Sequence, residues 1–404
     1  MEPLLLLMHR IPFPPNKGDK ITNFEILRYF AQRYEIYLGT FIDDPRDEAH
    51  VDTVREFCRE AHFERIDARW ARLASARGLL NGSALTLTFY SGRRLRRWSQ
   101  RVAERHSIRS IFVSSTAMYQ FVPRVTGAVC VVHYHDLDSD KWRQYASTKA
   151  WPLSAVYRRE WRTLLAYERF IARDSNAALF VTPSEADFFR TLAPESAHKV
   201  HWPGHGLDHD YYRPASGAPS PYPDGASPIL FVGVMDYWPN EDAAIWYARE
   251  IHPLVRAANP NASFYVVGMN PTRRVQELAA LPGVFVTGQV PDVRPWFQHA
   301  AVVVAPLRIA RGIQNKALQA MAMQRPVVMS RMSAASLSAR AGEDIEVADT
   351  ALEFADEVAG LLRDRGRGDA MGERARARIE RDYSWQRTMQ RIDALLTTKT
   401  KCTC

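Results

Sequence analysis

Three consecutive segments constrain this chain more than any others. The first is Ala301-Val302-Val303-Val304-Ala305-Pro306-Leu307. The second is Gly312-Ile313-Gln314-Asn315-Lys316-Ala317-Leu318-Gln319-Ala320-Met321-Ala322, and the third is Pro326-Val327-Val328-Met329-Ser330. Short apolar runs rich in β-branched residues read as buried strands, and the glycine-started middle segment reads as a helix. Strand, helix and strand in this order form a crossover unit of a parallel sheet. The start of such a helix carries unpaired N–H groups and the positive end of the dipole, so it attracts an anion. Arg311 and Lys316 add full positive charges near that end. The unit can hold a diphosphate without a metal, which points to a nucleotide-linked substrate.

The same alternation runs along the whole chain. In the first half, strand patterns occur at Leu4 to His9, Glu35 to Phe41, Ser110 to Ser114, Val129 to His133 and Ala177 to Val181. In the second half they recur at Ile229 to Gly233, Phe264 to Gly268, Val284 to Thr287, Ala301 to Ala305, Pro326 to Met329 and Ile345 to Val347. Helical patterns separate them, as expected for α/β architecture with two doubly wound parallel sheets. Between the halves lies Pro214-Ala215-Ser216-Gly217-Ala218-Pro219-Ser220-Pro221-Tyr222-Pro223-Asp224-Gly225, whose composition reads as a linker. The expected organisation is a Rossmann-like domain over 1–213, a linker over 214–226, a second Rossmann-like domain over 227–382, and a final helix with a polar tail over 383–404. Two such domains imply a central cleft, with ligands beyond the carboxyl ends of the strands.

A chain of 404 residues is long enough for two domains of this kind. No run approaches the roughly 18 apolar residues of a membrane-spanning helix. The start, Met1 to Met8, is too short and too acidic for a signal peptide and reads as the first strand. Cys58, Cys130, Cys402 and Cys404 show neither metal spacing nor a disulfide framework, which fits a reducing cytoplasm. No metal ligands and no cofactor are expected. The formal net charge is +8 and it is clustered, as in Arg93-Arg94-Leu95-Arg96-Arg97-Trp98. Arg65, Arg69, Trp70, Arg72, Leu73 and Arg77, and the segment Trp151 to Arg162, mix basic and aromatic residues again. Two readings stand for these clusters: an ordinary solvated face, or peripheral contact with an anionic membrane. Nucleic acid is not an expected partner, because no nucleic-acid motif accompanies the charge. Neither a Gly-x-Gly-x-x-Gly fingerprint nor a Walker loop occurs, which argues against dehydrogenases and P-loop enzymes.

Several motifs resemble those of the GT-B glycosyltransferases of family 4. Phe231-Val232-Gly233-Val234-Met235-Asp236-Tyr237-Trp238-Pro239-Asn240 is similar to the first strand and turn of the family's donor domain. Gly288-Gln289-Val290-Pro291-Asp292 resembles the loop that cups the nucleotide base. Tyr383-Ser384-Trp385 precedes a helix similar to the family's C-terminal segment, which crosses back onto the first domain. Asn16-Lys17-Gly18-Asp19-Lys20, Asp138-Ser139-Asp140-Lys141-Trp142 and Gly312 to Lys316 together resemble bacterial sugar transferases associated with exopolysaccharide and PEP-CTERM protein-sorting clusters. The resemblance implies a retaining enzyme using a nucleoside-diphosphate sugar as donor. It implies a saccharide or lipid-linked saccharide as acceptor, at the inner face of the cytoplasmic membrane. One departure is evident. The family carries a pair of glutamates, the second just before Ala-Met-Ala, where this chain has Arg311 and Gln319. Gln319 can still exchange hydrogen bonds with a ribose, and Arg311 suits phosphate better than a sugar hydroxyl. The alternatives are a nucleotide-sugar epimerase, or an inactive scaffold that binds the sugar nucleotide.

These readings assign candidate residues. Gly18, Gly233, Val290, Arg311, Gly312, Lys316 and Gln319 are expected at the donor. Asp19, Lys20, Asp138, Asp140 and Lys141 are expected at the acceptor. His135 and Asp136, at the carboxyl end of a strand, are the expected catalytic pair. One of the aspartates near Trp142 is expected to cap the helix that contains it.

Overall fold

The computed structural model describes residues 1–397 apart from 76, 77, 80, 81 and 311. The chain forms two compact units, Met1–Gly204 with Gln386–Cys404, and His205–Trp385.

The first unit is built on strands β1 (Glu2–Met8), β2 (Tyr34–Ile42), β3 (Glu60–Arg65), β4 (Ser110–Ser114), β5 (Val129–His135), β6 (Ala177–Phe180) and β7 (Val200–His201). They pair in the order β3-β2-β1-β4-β5-β6-β7, and every pairing is parallel. A parallel sheet is covered on both faces, which is why its central strands are continuously apolar. Leu5, registered between Tyr37 and Ile111, is completely buried, as are Leu4, Leu6 and Leu7. Strand order reverses between β1 and β4, so the carboxyl ends of these strands form a switch point where ligands bind in such sheets.

The second unit carries β8 (Ser227–Val232), β9 (Ala262–Val267), β10 (Val284–Gly288), β11 (Val302–Ala305), β12 (Val327–Met329) and β13 (Glu346–Val347). Their order is β10-β9-β8-β11-β12-β13, again wholly parallel, with the reversal between β8 and β11. Val302, Val303 and Val304 are fully buried at the centre.

The division of the chain differs from the sequence reading in two places. The Pro/Gly/Ser stretch over 214–226 belongs to the second unit, and the chain passes between units at Gly204–His205. Tyr222 anchors the stretch: its ring lies 4.7 Å from that of Tyr265, and its hydroxyl donates to the Trp296 carbonyl at 2.7 Å. Ala215 N–H donates to Gln298 Oε1 at 3.0 Å. The return passage falls at Trp385–Gln386, inside the helix Trp385–Thr397. In the first unit, Arg391 donates to the Pro203 carbonyl at 3.2 Å, and the Tyr34 hydroxyl donates to Asp393 at 2.5 Å.

The helix Asp138–Thr148 starts differently from expectation. Its cap position is Leu137 and not an aspartate, and Leu137 makes no side-chain cap hydrogen bond. Instead the Ser139 N–H donates to Glu168 Oε1, 3.1 Å away on the helix Leu153–Asp174. Glu168 is completely buried. Burial pushes its carboxyl up to about 8, against the Ser139 hydrogen bond and with help from the Asp138 and Asp140 charges. Between 4.5, its ordinary value, and about 8 the folded state therefore holds a proton that the unfolded chain has lost. This contribution to stability is favourable at low pH and falls as pH rises through that window. Glu168→Gln keeps an oxygen for Ser139 and removes the charge. The variant is expected to melt a few degrees above the native chain at about pH 9, with the gap closing near about pH 5. Scanning calorimetry at both pH values checks this, and a constant gap would contradict it.

Candidate functional site

At the switch point of the second unit two glycines let the chain pack closely on itself. Gly268, just past β9, has φ +149°, and a Cβ there would lie 1.7 Å from the Gly233 carbonyl oxygen. Gly233, just past β8, faces Asn240: a Cβ on it would sit 2.7 Å from Asn240 Nδ2. Two glycines thus let two strand ends and the Asn240 amide close together. The Asn240 NH2 donates to the Val234 carbonyl at 3.0 Å, which orients the amide oxygen outward to accept from Lys316 Nζ, also at 3.0 Å. Lys316 lies in the first turn of the helix Asn315–Ala322, and its ammonium sits 5.2 Å from the centre of the buried Phe231 ring. Its charge has lost much of its hydration, and burial lowers its pKa to about 8. Asn240 and Phe231 are its neutral partners, so the site holds a cation primed for an anion.

The start of this helix is held from the preceding chain. His205 Nε2 lies 3.2 Å from Asn315 Oδ1 and its ring packs 4.9 Å from Trp385. Burial lowers the His205 pKa to about 4, opposed by the Asn315 hydrogen bond, so the ring is neutral at pH 7. Gly206 allows the approach, since a Cβ would meet the Trp385 ring at 2.3 Å. Gln319 is buried, and its NH2 donates to the Tyr212 hydroxyl at 2.9 Å. One hydrogen of its amide nitrogen therefore serves the fold. Gly312 takes φ +60° ahead of the helix. Val290 is partly buried against the core of this unit just past β10. Arg311, expected at the phosphate, lies outside the described residues.

The first unit gathers a second polar cluster at the carboxyl ends of β1, β4 and β5. Asp19 Oδ2 lies 3.0 Å from His9 Nε2 and accepts from Arg10 at 2.8 Å. Arg10 also pairs with Asp43 at 3.0 Å. Burial pushes the Asp19 carboxyl up, but the Arg10 charge and the His9 hydrogen bond hold it well below the usual carboxylate range. Asp19 is thus an anion at neutral pH. His135 Nε2 lies 2.7 Å from Ser114 Oγ, and the His9 and His135 rings are 5.9 Å apart. Asp136 is half-buried at the same strand end. Gly18 opens the helix Gly18–Ala31 that carries Asp19.

Several expectations for the first unit are corrected here. Lys20 is in the interior, 1% exposed, and donates to Asp47 at 2.6 Å. Its ammonium is thus taken up in a buried ion pair and not presented at the surface. Asp140 is buried, and its two oxygens accept from Arg143 at 2.6 Å and Gln144 at 2.7 Å on its own helix. Asp138 and Lys141 lie 3.6 Å apart in a loose pair, each partly exposed. Trp98 is buried with its indole N–H on Glu60, so the 93–98 cluster presents no aromatic to a membrane. Asn240, His9, Arg10, Asn23 and Ser114 were not picked out by the sequence.

Among the described residues no three His, Cys, Asp or Glu side chains group as a metal site. None of the described helices is long and apolar enough to cross a membrane.

Comparisons with known proteins bear on both units. Residues 226–364 match the family model described as "Glycosyl transferases group 1". No curated protein sequence matches the chain. Among solved structures, the chain is similar to sucrose-phosphate synthase from Thermosynechococcus elongatus, with TM-score 0.73, 18% identity and 98% of both chains covered. HepE of Anabaena in complex with UDP-glucose gives TM-score 0.68 and 13% identity, over 98% of this chain and 99% of that one. WaaG, a glycosyltransferase of lipopolysaccharide biosynthesis, gives 0.69 and 13%, over 98% and 100%. At these identities the structures speak for the fold. The chain therefore has the GT-B fold, and its second unit carries a group 1 glycosyltransferase domain.

Proposed function

We propose that this protein is a metal-independent, retaining glycosyltransferase that moves a sugar from a nucleoside-diphosphate sugar to a saccharide or lipid-linked saccharide. The observation that carries this reading is Lys316, poorly hydrated and held by Asn240 at the first turn of the Asn315–Ala322 helix. Such a cation stabilises the charge that develops on a leaving diphosphate. Arg311 is assigned the same role. UDP and UDP-glucose are bound in structures of the similar HepE protein, so uridine is the first base to test. In a retaining front-face reaction the acceptor oxygen forms its bond to the anomeric carbon on the face from which the diphosphate leaves. The departing phosphate oxygen takes the acceptor's proton. His135 and Asp136 then position the sugar or the acceptor, with Asp19, Asp138 and Lys141 beside them.

The acceptor is placed at the inner face of the cytoplasmic membrane, in exopolysaccharide or surface-glycan synthesis of the family 4 and PEP-CTERM type. Trp70 (71% exposed), Leu73 (68%) and Trp151 (80%) support this, the first two beside Arg69 and Arg72 and the third two residues after Lys149 in sequence. Exposed aromatic and basic side chains together suit an anionic interface.

The test is release of UDP from UDP-glucose, and from other UDP-sugars, in EDTA, with and without vesicles carrying bacterial lipid-linked saccharides. Release that requires the acceptor is expected. An epimerised or hydrolysed sugar formed without acceptor would replace this reading with an epimerase. Nucleotide binding with no turnover under any condition would replace it with a sugar-nucleotide-binding scaffold.

A further inference from the structure

A cavity of about 160 Å³ lies in the second unit, at the end of the sheet opposite to Gly233 and Gly268. Pro228, Ala301 and Pro326 line it, and each stands at the amino end of a strand, β8, β11 or β12. Ligands of doubly wound sheets ordinarily sit at the carboxyl ends, so the donor reading makes no use of this space. One wall is the stretch whose composition resembles a linker. Ser220 and Tyr222 line the cavity from it, and His299, also in the lining, ties it down with Nε2 at 2.8 Å from the Ala218 carbonyl oxygen.

The charged residues of the lining are Arg325, Arg365 and Asp369. Arg325 is half-buried, and its guanidinium makes one hydrogen bond among the described residues, from Nε to the Met323 carbonyl at 3.3 Å. Its terminal nitrogens keep their hydrogens for a ligand. Burial lowers its pKa, and the Asp369 charge opposes this. A half-buried guanidinium with no carboxylate bonded to it gains from an anion. Arg365 is exposed, and its side chain forms neither a hydrogen bond nor an ion pair among the described residues.

The backbone fixes Arg325 without a ligand. Past the helix Asn315–Ala322, the Arg325 N–H donates to the Ala320 carbonyl at 2.9 Å and the Gln324 N–H to the Met321 carbonyl at 3.1 Å. These two bonds end a helix through one left-handed residue, commonly glycine, and here Gln324 takes that place with φ +56°. Gly372 lets the helix Arg365–Asp382 close on the turn, since a Cβ there would lie 2.1 Å from the Gln324 carbonyl oxygen. The start of the same helix presents Arg365, Gly368 and Asp369 on one face, and Gly368 adds no side chain to the cavity.

We propose that this cavity is a second ligand site, for a small phosphate held by Arg325 and Arg365. A space of this size takes roughly six heavy atoms, which suits a phosphate ion or the head of a short phosphate ester and is too small for a nucleotide. Guanidinium forks match phosphate oxygens in pairs. A phosphate that keeps a proton can also donate it to Asp369, which a carboxylate ligand at neutral pH cannot do. The helix Asn315–Ala322, about 12 Å long, lies between this site and Lys316.

Melting of the full chain in phosphate, against chloride at equal ionic strength, tests the proposal, with glycerol phosphate as the ester probe. At about 20 mM the native chain is expected to melt about 4–7 °C higher, as for a dissociation constant of about 1 mM. The larger rise tells whether the free ion or the ester is the better ligand. Arg325→Gln is expected to lose most of the rise. So is Gly368→Leu, which fills the cavity and keeps both arginines; a Cβ on Gly368 meets only Pro326 and Leu361 carbons, at 3.4 Å or more. Lys316→Ala is expected to keep the rise. The general effect of phosphate as an excluded salt is common to all these chains and cancels in their differences. An equal rise in the native chain and both folded cavity variants would overturn the proposal, as would no rise with either probe. A rise lost in Lys316→Ala alone would also overturn it and put the phosphate at the donor site. No outcome depends on transfer activity.

Discussion

Lys316→Ala is expected to lower kcat/KM for a UDP-sugar by about two to three orders of magnitude, the usual loss when one preorganised donor to a developing oxyanion is removed. The expectation rests on position more than on charge alone. Lys316 Nζ is fixed by Asn240 at 3.0 Å over the Phe231 ring, where little water is left to substitute for it. The pH dependence follows from the same burial. With its pKa lowered to about 8, the lysine is charged below that value and loses its charge above it. In the free enzyme, kcat/KM should therefore fall as pH rises past about 8. Lys316→Arg keeps the charge at every accessible pH. It should retain part of the activity and abolish this alkaline limb. An alanine variant with native kcat/KM and an unchanged limb would show that Lys316 does not meet the donor.

Gly268→Ala is expected to destabilise the second unit by about 3 kcal/mol, combining backbone strain with overpacking. The glycine holds φ +149°, and the new methyl would sit 1.7 Å from the Gly233 carbonyl, a contact that only a shift of the strand end can relieve. The shift moves Gly233, whose α-carbon abuts the Asn240 amide, and through Asn240 it disturbs Lys316. Loss of stability and loss of donor affinity should therefore appear together. The melting temperature is expected to drop by about 6–12 °C. Gly217→Asn is the control: this glycine also has positive φ, +77°, but nothing lies within 4 Å of its Cβ position. Asparagine tolerates that conformation, so a change under about 0.5 kcal/mol is expected there. Equal melting temperatures for Gly268→Ala and the native chain would contradict the account of the switch point.

How much of this was legible in the sequence depended on how local the cause was. The central strands read out because each is apolar on both faces, as Leu4 to Leu7 and Val302 to Val304 show. β3 did not, because Glu60-Ala61-His62-Phe63-Glu64-Arg65 is an edge strand whose polar residues interrupt the apolar signal. β7, only two residues long at the other edge, leaves no pattern at all. The stretch over 214–226 has the composition of a linker whether it spans two units or lies along one, and only the burial of Tyr222 distinguishes these.

The site followed the same rule. Lys316 was visible because strand, turn and helix start are consecutive in the chain. Asn240 was not, since its partner lies 76 residues away. Asp19 and Lys20 are neighbours on one helix, but successive residues there point about 100° apart. That rotation leaves Asp19 in the polar cluster with His9 and Arg10 and sends Lys20 inward to Asp47. Adjacent charges in a sequence thus gave no indication of which one faces the core.

Calorimetric titration of the native chain with UDP in EDTA tests the central claim most directly. One UDP per chain is expected, with micromolar affinity that weakens as pH rises past about 8, where Lys316 loses its charge. An absence of binding heat across temperatures, or binding that is indifferent to pH and intact in Lys316→Ala, would contradict a donor site at the start of the Asn315–Ala322 helix.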